Sequence, residues 1–329
     1  MTSLKTRLKR QHTLPSKFNR DHTASDVLSD VDLSGKRILV TGGYSGIGLE
    51  MTRALAQAGA SVVVLSRRAH LAAETTAGIE RVTLVESDLS EQRDVHRLVR
   101  DLLEEGKPFD GVLASAGVMA CPEKRTGEGW EYQFAVNHLG HFALIAGILP
   151  LLADRAARVV MMSSAGHFTS GIRWADVHFA SEPYDPWLAY GQSKSANALF
   201  AAELAERGGK IGVQAFSVHP GNIMTPLQRH LTVEEQIALG WADASGAPNP
   251  ALKLKTPEQG ASTAVWALTS AELNDLSGVY VQDNDVAQAT AEADMDMVAG
   301  GVKPWALDPS DGTRLWGYSA AATAVTPII

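Results

Sequence analysis

Short apolar runs alternate along the chain with longer segments in which apolar residues recur at helical spacing. The runs RILV (37–40) and SVVVL (61–65) are apolar on both faces, and the segment between them is helical in pattern up to Gly59. Because strands that stay apolar throughout are typical of sheets covered on both faces, these runs predict a parallel sheet. The segment between them predicts a helix that ends at the glycine.

The same alternation continues as far as residue 281. Further strands are predicted at 81–86, 109–117, 157–164, 211–221 and 277–281, and helices near 91–105, 128–152, 186–207 and 256–270. No linker divides the pattern. It therefore predicts an α/β fold with one doubly wound parallel sheet of the Rossmann type, helices on both faces, and a single domain over residues 31–329.

Composition narrows the class of protein. The 329 residues are 45% hydrophobic and 20% charged, with a formal net charge of −8. This is ordinary for a soluble globular chain and argues against nucleic acid as a partner. The longest apolar run, FALIAGILPLLA (142–153), is too short and too interrupted by proline to span a bilayer. Cys121 is the only cysteine, which fits a reducing compartment, and we expect a cytoplasmic protein.

The first twenty residues differ from the rest of the chain. They contain six lysines and arginines and no acid, so that residues 1–20 have a charge of +6 and the remainder −14. No apolar segment follows that would make a signal peptide. The pattern favours a basic N-terminal extension over residues 1–30 that is poorly ordered, with contact to a polyanion or a partner as the alternative.

The segment TGGYSGIG (41–48) lies between a predicted strand and a predicted helix. Glycines at such a turn let the backbone approach a pyrophosphate, and the free N–H groups at the helix start favour an anion. The spacing of Gly42, Gly46 and Gly48 is one residue longer than the usual dinucleotide fingerprint. The turn predicts a dinucleotide site, with an unliganded tight turn as the alternative.

Tyr190 and Lys194 stand four residues apart on a predicted helix and therefore share one of its faces. A positive charge about 5 Å from a phenol, at an effective dielectric of about 20, favours the phenolate by roughly 3 kcal/mol, or about two pKa units. Tyr190 could then exchange a proton near neutral pH. The alternative for this spacing alone is an ordinary pair on a helix surface.

These motifs, in this order, resemble the short-chain dehydrogenase/reductase family over about residues 32–281. SSAGH (163–167), YGQSKSANALFAAEL (190–204) and VHPGNIMTPL (218–227) are similar to its retinol-dehydrogenase-like branch. The resemblance implies an NAD(P)-dependent oxidoreductase that acts on an alcohol, aldehyde or ketone. It assigns catalysis to Asn137, Ser164, Tyr190 and Lys194, with Asn137 holding a water in a proton relay.

The resemblance also implies cofactor contacts. They comprise the glycine turn, the end of the second strand, the adenine side, the fourth strand, the Tyr–Lys pair and the nicotinamide side: Gly42, Tyr44, Ser45, Gly46, Ile47, Gly48, Ser66, Arg67, Arg68, Asp88, Leu89, Ser115, Ala116, Gly117, Tyr190, Lys194, Pro220, Gly221, Ile223 and Thr225. The family commonly forms homodimers or homotetramers through its two long helices, here about 128–152 and 187–208.

The end of the second strand bears on cofactor choice. An enzyme that prefers NAD(H) usually has an acid there, whereas this chain has Ser66, Arg67 and Arg68. Guanidinium groups can bind a 2′-phosphate through paired hydrogen bonds. We expect NADP(H) to be preferred, with NAD(H) as the alternative and with solvated arginines as the competing interpretation.

The segment near 224–254 is the expected substrate lid, and its apolar side chains favour a lipophilic substrate. His138 and His141 have a spacing that metal sites use, but no further ligand is near in the sequence and no metal is expected. Two other functions remain open. One is a catalytically idle dinucleotide-binding sensor or scaffold. The other is double-bond reduction, as in the similar protochlorophyllide reductases, for which Cys121 is the candidate cysteine.

Overall fold

One eight-stranded sheet forms the centre of the part of the chain that the computed structural model describes, residues 2–252 and 254–329. The strands are β1 (Arg37–Thr41), β2 (Ser61–Ser66), β3 (Val82–Glu86), β4 (Gly111–Ala114), β5 (Arg158–Met162), β6 (Gln214–His219), β7 (Tyr280–Gln282) and β8 (Asp285–Val286). Their order is β3-β2-β1-β4-β5-β6-β7-β8, and only the β7–β8 pair is antiparallel. The predicted doubly wound Rossmann sheet is confirmed.

Helices cover both faces of this sheet. They are α1 (Leu4–Lys9), α2 (Ala24–Val27), α3 (Gly46–Gln57), α4 (Ala69–Thr75), α5 (Gln92–Glu105), α6 (Tyr132–Phe134), α7 (Gly140–Gly147), α8 (Leu149–Leu152), α9 (Pro186–Gly208), α10 (Val233–Ala238), α11 (Pro257–Thr269) and α12 (Pro309–Ala322). No described helix is both long and apolar enough to cross a bilayer.

Alternate residues of each strand serve two separate cores. Val40 and Val64 pack with α2, α3 and α11 on one face, whereas Leu39 and Val63 pack with α5, α7, α9 and α12 on the other. Side chains of successive strand residues point to opposite faces, so a strand covered on both sides must be apolar throughout. This is the physical origin of the unbroken apolar runs in the sequence.

The helix predicted near 128–152 is broken. It consists of α6, a π-helical segment Ala135–Leu139, then α7 and α8. A π-helical turn holds an extra residue and shifts the register of the side chains that follow it, and such turns are frequent at functional sites. Asn137 lies in this segment.

The N-terminal extension packs on the body of the protein, and the expectation of a poorly ordered tail is wrong. Arg7 is only 5% exposed; its guanidinium lies 3.4 Å from Glu203 and 3.6 Å from Glu206. Leu14 donates its backbone N–H to Asp285 at 2.7 Å, and Val27 is buried in the core. The basic residues that suggested a solvated tail include one that neutralises acids on α9.

The C-terminal helix α12 covers α9 and part of α7. Trp316 stacks on Phe200 of α9, with ring centroids 5.7 Å apart, and meets Phe142 of α7 edge-on at 5.3 Å. These are the two long helices through which the resemblance implied homodimers or homotetramers. Because the chain's own C-terminus occupies part of that surface, the implied interface is not free in this form. The oligomeric state itself stays a prediction.

Candidate active site

The turn between β1 and α3 is lined by backbone. Gly42 has a positive φ of 68°, and a Cβ there would lie 3.0 Å from the Cα of Ala116. A Cβ on Gly48 would lie 2.4 Å from the carbonyl oxygen of Gly42. Side chains are therefore excluded at both positions, and the start of α3 is left open to a bound anion.

A cleft with an empty volume of about 920 Å³ lies beside this turn. Most of the predicted cofactor residues line it: Gly42, Tyr44, Ser45, Gly46, Ile47, Gly48, Ser66, Arg67, Arg68, Asp88, Leu89, Ser115, Ala116, Gly117 and Thr225. Five predicted residues are outside that set: Tyr190 and Lys194 of α9, and Pro220, Gly221 and Ile223 after β6. The carbonyl of Ile223 accepts a hydrogen bond from Gln228 at 2.8 Å, which ties this turn to the start of the lid.

Two arginines stand at one end of the cleft, after β2. Arg67 donates to the hydroxyl of Tyr132 at 2.6 Å and lies 4.0 Å from a carboxylate oxygen of Asp88. Arg68 donates through Nε to the hydroxyl of Tyr44 at 3.2 Å. The side chains of both arginines line the cleft.

Arg229 also lines this cleft and was not among the residues predicted from the sequence. It lies in the segment 224–254, which the sequence analysis predicts to be the lid, and it follows the short 3₁₀ turn Pro226–Gln228. Burial, followed by the charges of Arg67 and Arg68, lowers its pKa. No local pattern could have identified it, because only the tertiary path of the lid brings it to the end of β2.

Helix α9 positions the Tyr–Lys pair. Its start is capped by Asp185, which accepts hydrogen bonds from the N–H groups of Trp187 at 2.8 Å and Leu188 at 2.9 Å. Lys194 donates through Nζ to the carbonyl of Met162 at 2.9 Å, and Nζ lies 5.5 Å from the centroid of the Tyr190 ring. The pair thus stands on one face of the helix, against the end of β5.

Ser164 follows β5 and meets Tyr190. Its Oγ accepts a hydrogen bond from the N–H of Gly166 at 3.0 Å and also interacts with the hydroxyl of Tyr190. A Cβ on Gly166 would lie 2.6 Å from the Tyr190 ring, so this glycine allows the ring to approach the serine. The structure brings the predicted serine, tyrosine and lysine together.

Asn137 is engaged with protein groups. Its Oδ1 accepts from the N–H of Val118 at 2.9 Å, and its Nδ2 donates to the carbonyl of Val118 and to Ser193 Oγ, each at 2.9 Å. A Cβ on Gly117 would lie 3.2 Å from Asn137 Oδ1 and 3.7 Å from Lys194 Nζ. The side chain therefore braces the loop after β4 against α9, where the cleft adjoins the Tyr–Lys pair.

Burial governs the protonation of the pair in the protein alone. It raises the pKa of Tyr190 to about 12, with the hydrogen bond to Ser164 acting in the opposite direction. It lowers the pKa of Lys194 to about 8. In the protein alone the lysine does not bring the phenol near neutrality, because desolvation disfavours both charged forms. Proton exchange by Tyr190 near neutral pH with a cofactor bound stays a prediction.

An apolar wall packs beside the side chain of Tyr190. Met119, Ala120 and Tyr190 form a buried cluster against which Trp187, Leu227, Leu231 and Trp241 pack. Trp187 and Trp241 meet edge-on, with centroids 5.7 Å apart. Leu227, Leu231 and Trp241 lie in the predicted lid, so this segment supplies much of the wall.

The histidine pair and Cys121, which the sequence analysis singled out, make other contacts within the protein. His138 pairs with Ser319 and His141 with Thr41, each at 2.8 Å, and no group of three or more metal-ligating side chains occurs among the described residues. Cys121 is buried beside Val118 and Tyr132; burial, then the charge of Glu131, raises the pKa of its thiol.

These features fit a dinucleotide. A side-chain-free turn at a helix start suits a pyrophosphate, and the cations after β2 suit further phosphate. The Tyr–Lys pair adjoins the cleft at Gly117, where a Cβ would lie 3.7 Å from Lys194 Nζ. The sequence profile described as short chain dehydrogenase matches residues 36–236. The chain belongs to the short-chain dehydrogenase family. It is therefore an oxidoreductase of the class that transfers a hydride with a nicotinamide dinucleotide.

Relatives of this dehydrogenase extend over most of the chain. A probable oxidoreductase of Streptomyces lividans is 42% identical over 88% of this chain and 98% of its own. Human retinol dehydrogenase 11 is 36% identical over 82% of this chain and 84% of its own, which agrees with the predicted branch. A solved structure of an uncharacterized protein from Mycobacterium paratuberculosis has a TM-score of 0.71 and 27% identity, covering 94% of this chain and 100% of its own.

Proposed function

We propose that this dehydrogenase reduces a lipophilic aldehyde or ketone with NADPH, and oxidises the matching alcohol in reverse. The observation that most supports this is the apolar wall that Met119, Trp187, Leu227 and Trp241 form beside Tyr190. A carbonyl group at the Tyr190 hydroxyl would have its apolar substituents in contact with the wall. The similarity to retinol dehydrogenase 11, whose name refers to a lipophilic alcohol, supports the same substrate class.

Each catalytic side chain has one task in this proposal. Tyr190, protonated because burial raises its pKa to about 12, donates its proton to the carbonyl oxygen as that oxygen becomes an alcohol. Ser164 Oγ orients the same oxygen. Lys194 supplies a nearby positive charge that stabilises the phenolate left behind. Asn137 holds the loop after β4 against α9. When bound, the reduced nicotinamide supplies the hydride.

The proposed preference for NADPH rests on the two arginines that line the cleft after β2. Arg67 and Arg68 line the cleft there, where an enzyme specific for NAD(H) would place an acid. A complex of Pseudomonas aeruginosa RhlG with NADP, 25% identical with a TM-score of 0.59, covers 79% of this chain and supports NADP as a cofactor of this fold. NAD(H) is then the weaker cofactor, and a homo-oligomeric, cytoplasmic enzyme remains our expectation.

A panel of lipophilic and polar aldehydes, ketones and alcohols, assayed with both cofactors, tests the proposal. We expect kcat/KM to be highest for lipophilic carbonyls with NADPH. Arg67→Ala should lower kcat/KM with NADPH roughly ten- to a hundredfold, about 1.5–3 kcal/mol, and leave NADH nearly unchanged. An exposed arginine on α5, Arg100, gives a matched control as Arg100→Ala. A wild type that favours NADH would contradict the cofactor assignment.

A further inference from the structure

Arg229 extends the positive cluster at the end of β2 from the lid side. Its Nη1 donates to the carbonyl of Pro226 at 2.7 Å, a contact within its own turn. Within residues 2–252 and 254–329, no ion pair within 4.0 Å involves Arg68 or Arg229, and Arg67 reaches Asp88 only at 4.0 Å. Three guanidinium groups thus line one cleft with a single carboxylate nearby.

Without a bound anion, this excess of positive charge is energetically unfavourable. Like charges brought together and partly removed from water repel each other, and the lowered pKa of Arg229 has these two causes, burial and the charges of Arg67 and Arg68. Three guanidiniums and one carboxylate have a net charge of about +2, which matches a fully ionised phosphate monoester. The cluster therefore has the charge to balance one dianionic phosphate, and guanidinium groups are the donors that suit it.

Arg229 also lies between two parts of the lid, one packed on the glycine turn and the other on the apolar wall at Tyr190. Before it, Thr225 packs on the glycine turn, its Cβ 3.4 Å from where a Cβ on Gly46 would be. Around it, Leu227 and Leu231 pack against the apolar wall at Tyr190. Further along, the lid is loosely held, since Val233 and Leu239 are 51% and 43% exposed. A ligand that fixes Arg229 would fix the neighbouring apolar residues as well.

We propose that Arg229 is a third ligand of the cofactor's 2′-phosphate, and that binding of this phosphate closes the lid and completes the substrate wall. This inference rests on the proposed NADPH preference. The side chain acts in two ways. It neutralises the phosphate together with Arg67 and Arg68, and it transmits that contact to Leu227 and Leu231 through the short turn between them. The pyrophosphate of the same cofactor is the competing anion for Arg229.

Calorimetric titration with cofactor fragments separates these anions without turnover. The probes are 2′,5′-ADP, which has the 2′-phosphate, and ADP-ribose, which has the pyrophosphate alone. In Arg229→Gln we expect the affinity for 2′,5′-ADP to fall about tenfold or more and that for ADP-ribose to change less than twofold. Arg229→Lys keeps the positive charge but loses the planar guanidinium. Its affinity for 2′,5′-ADP should therefore lie between those of the wild type and Arg229→Gln. Arg100→Gln, which changes an exposed side chain of α5, should match the wild type.

Hydrogen exchange of residues 227–241 tests the lid. We expect 2′,5′-ADP to slow exchange there in the wild type and in Arg100→Gln but not in Arg229→Gln. An equal loss of affinity for both probes would assign Arg229 to the 5′-phosphate that they share, and a larger loss for ADP-ribose would assign it to the pyrophosphate. Either result would overturn the proposal, and so would unchanged affinity for both. If the wild type itself binds 2′,5′-ADP no better than 5′-AMP, the NADPH preference fails. If that preference holds while Arg229→Gln binds normally, only the role of Arg229 fails.

Discussion

The two walls of the catalytic cleft differ in how firmly they are held. On one side, α9 is buried over most of its length and hydrogen-bonded to β5, with Ser163 donating to the carbonyl of Lys194 at 2.8 Å and Asn197 to that of Met162 at 3.0 Å. On the other side, α10 of the lid has six residues and none of them is buried. It is held mainly by its own capping box at Thr232 and by a few apolar contacts.

The difference indicates where each property of the enzyme resides. Groups that must stay within hydrogen-bond distance of each other belong to the firm wall, because misplacement by about 1 Å can cost two orders of magnitude in rate. We expect groups that admit and enclose ligands to belong to the loosely held wall, since closure needs a segment of low local stability. The following experiments test this division.

Acidification should affect the firm wall most. Five histidines outside the lid are neutral and largely buried, and burial lowers the pKa of His138 and His167 to about 3 and of His141, His178 and His219 to about 4. The unfolded chain binds their protons below about pH 6.5, so stability is complete above that pH and is lost on the way down to pH 4. Each histidine costs about 1.4 kcal/mol per pH unit in that window.

Together they should remove on the order of 5 kcal/mol by pH 5.5, a large part of the stability of an ordinary domain. Urea denaturation at pH 7.5 and pH 5.5 measures this directly. Equal free energies of unfolding at the two pH values would show that these side chains can be protonated in the folded state, and that the wall is less firm than its burial indicates.

Tyr190→Phe should separate chemistry from structure. The substitution removes only the hydroxyl proposed to donate the proton, so turnover should fall by roughly two orders of magnitude or more. NADPH binding and the melting temperature should change little. Tyr318→Phe, which removes a hydroxyl bonded to His178 at 2.7 Å, away from the cleft, is the matched control. Full turnover by the Tyr190 variant would rule out the mechanism.

The sequence was informative about the firm wall and the sheet for a physical reason. The glycine turn, the Tyr190–Lys194 spacing and the apolar strands are local patterns, each imposed by a backbone or a helix turn within a few residues. Contacts between distant segments leave no such pattern. Arg7 meets Glu203 across 196 positions, and Arg229 reaches Arg67 only through the path of the lid. The break at Asn137 also escaped prediction, because a π-helical turn has no distinct hydrophobic period.

Arg7→Ala tests the packing of the N-terminal extension behind α9. Removing the arginine leaves the buried carboxylate of Glu203 with fewer partners, and loss of one member of a buried pair costs about 3 kcal/mol. We expect a clear fall in the melting temperature. Lys17→Ala, in the same extension, removes a lysine that is 66% exposed and should change stability by less than about 0.5 kcal/mol. Equal stability of both variants and the wild type would support a poorly ordered N-terminal extension instead.

Trp241→Ala should have the smallest effect, and one confined to substrate binding. Trp241 is half-buried on the lid, where it packs against Trp187 and the wall at Tyr190. Its removal should raise KM for lipophilic carbonyls about five- to thirtyfold, which corresponds to about 1–2 kcal/mol of lost apolar contact. The value of kcat should stay near that of the wild type, because the firm wall is untouched. The melting temperature should also stay unchanged, because the lid contributes little to the core.

Ile237→Ala, which truncates a lid side chain that is 36% exposed, is the control and should leave KM unchanged. A loss of kcat in Trp241→Ala with KM unchanged would mean that the lid positions the reacting groups, and the two walls would then share the catalytic task.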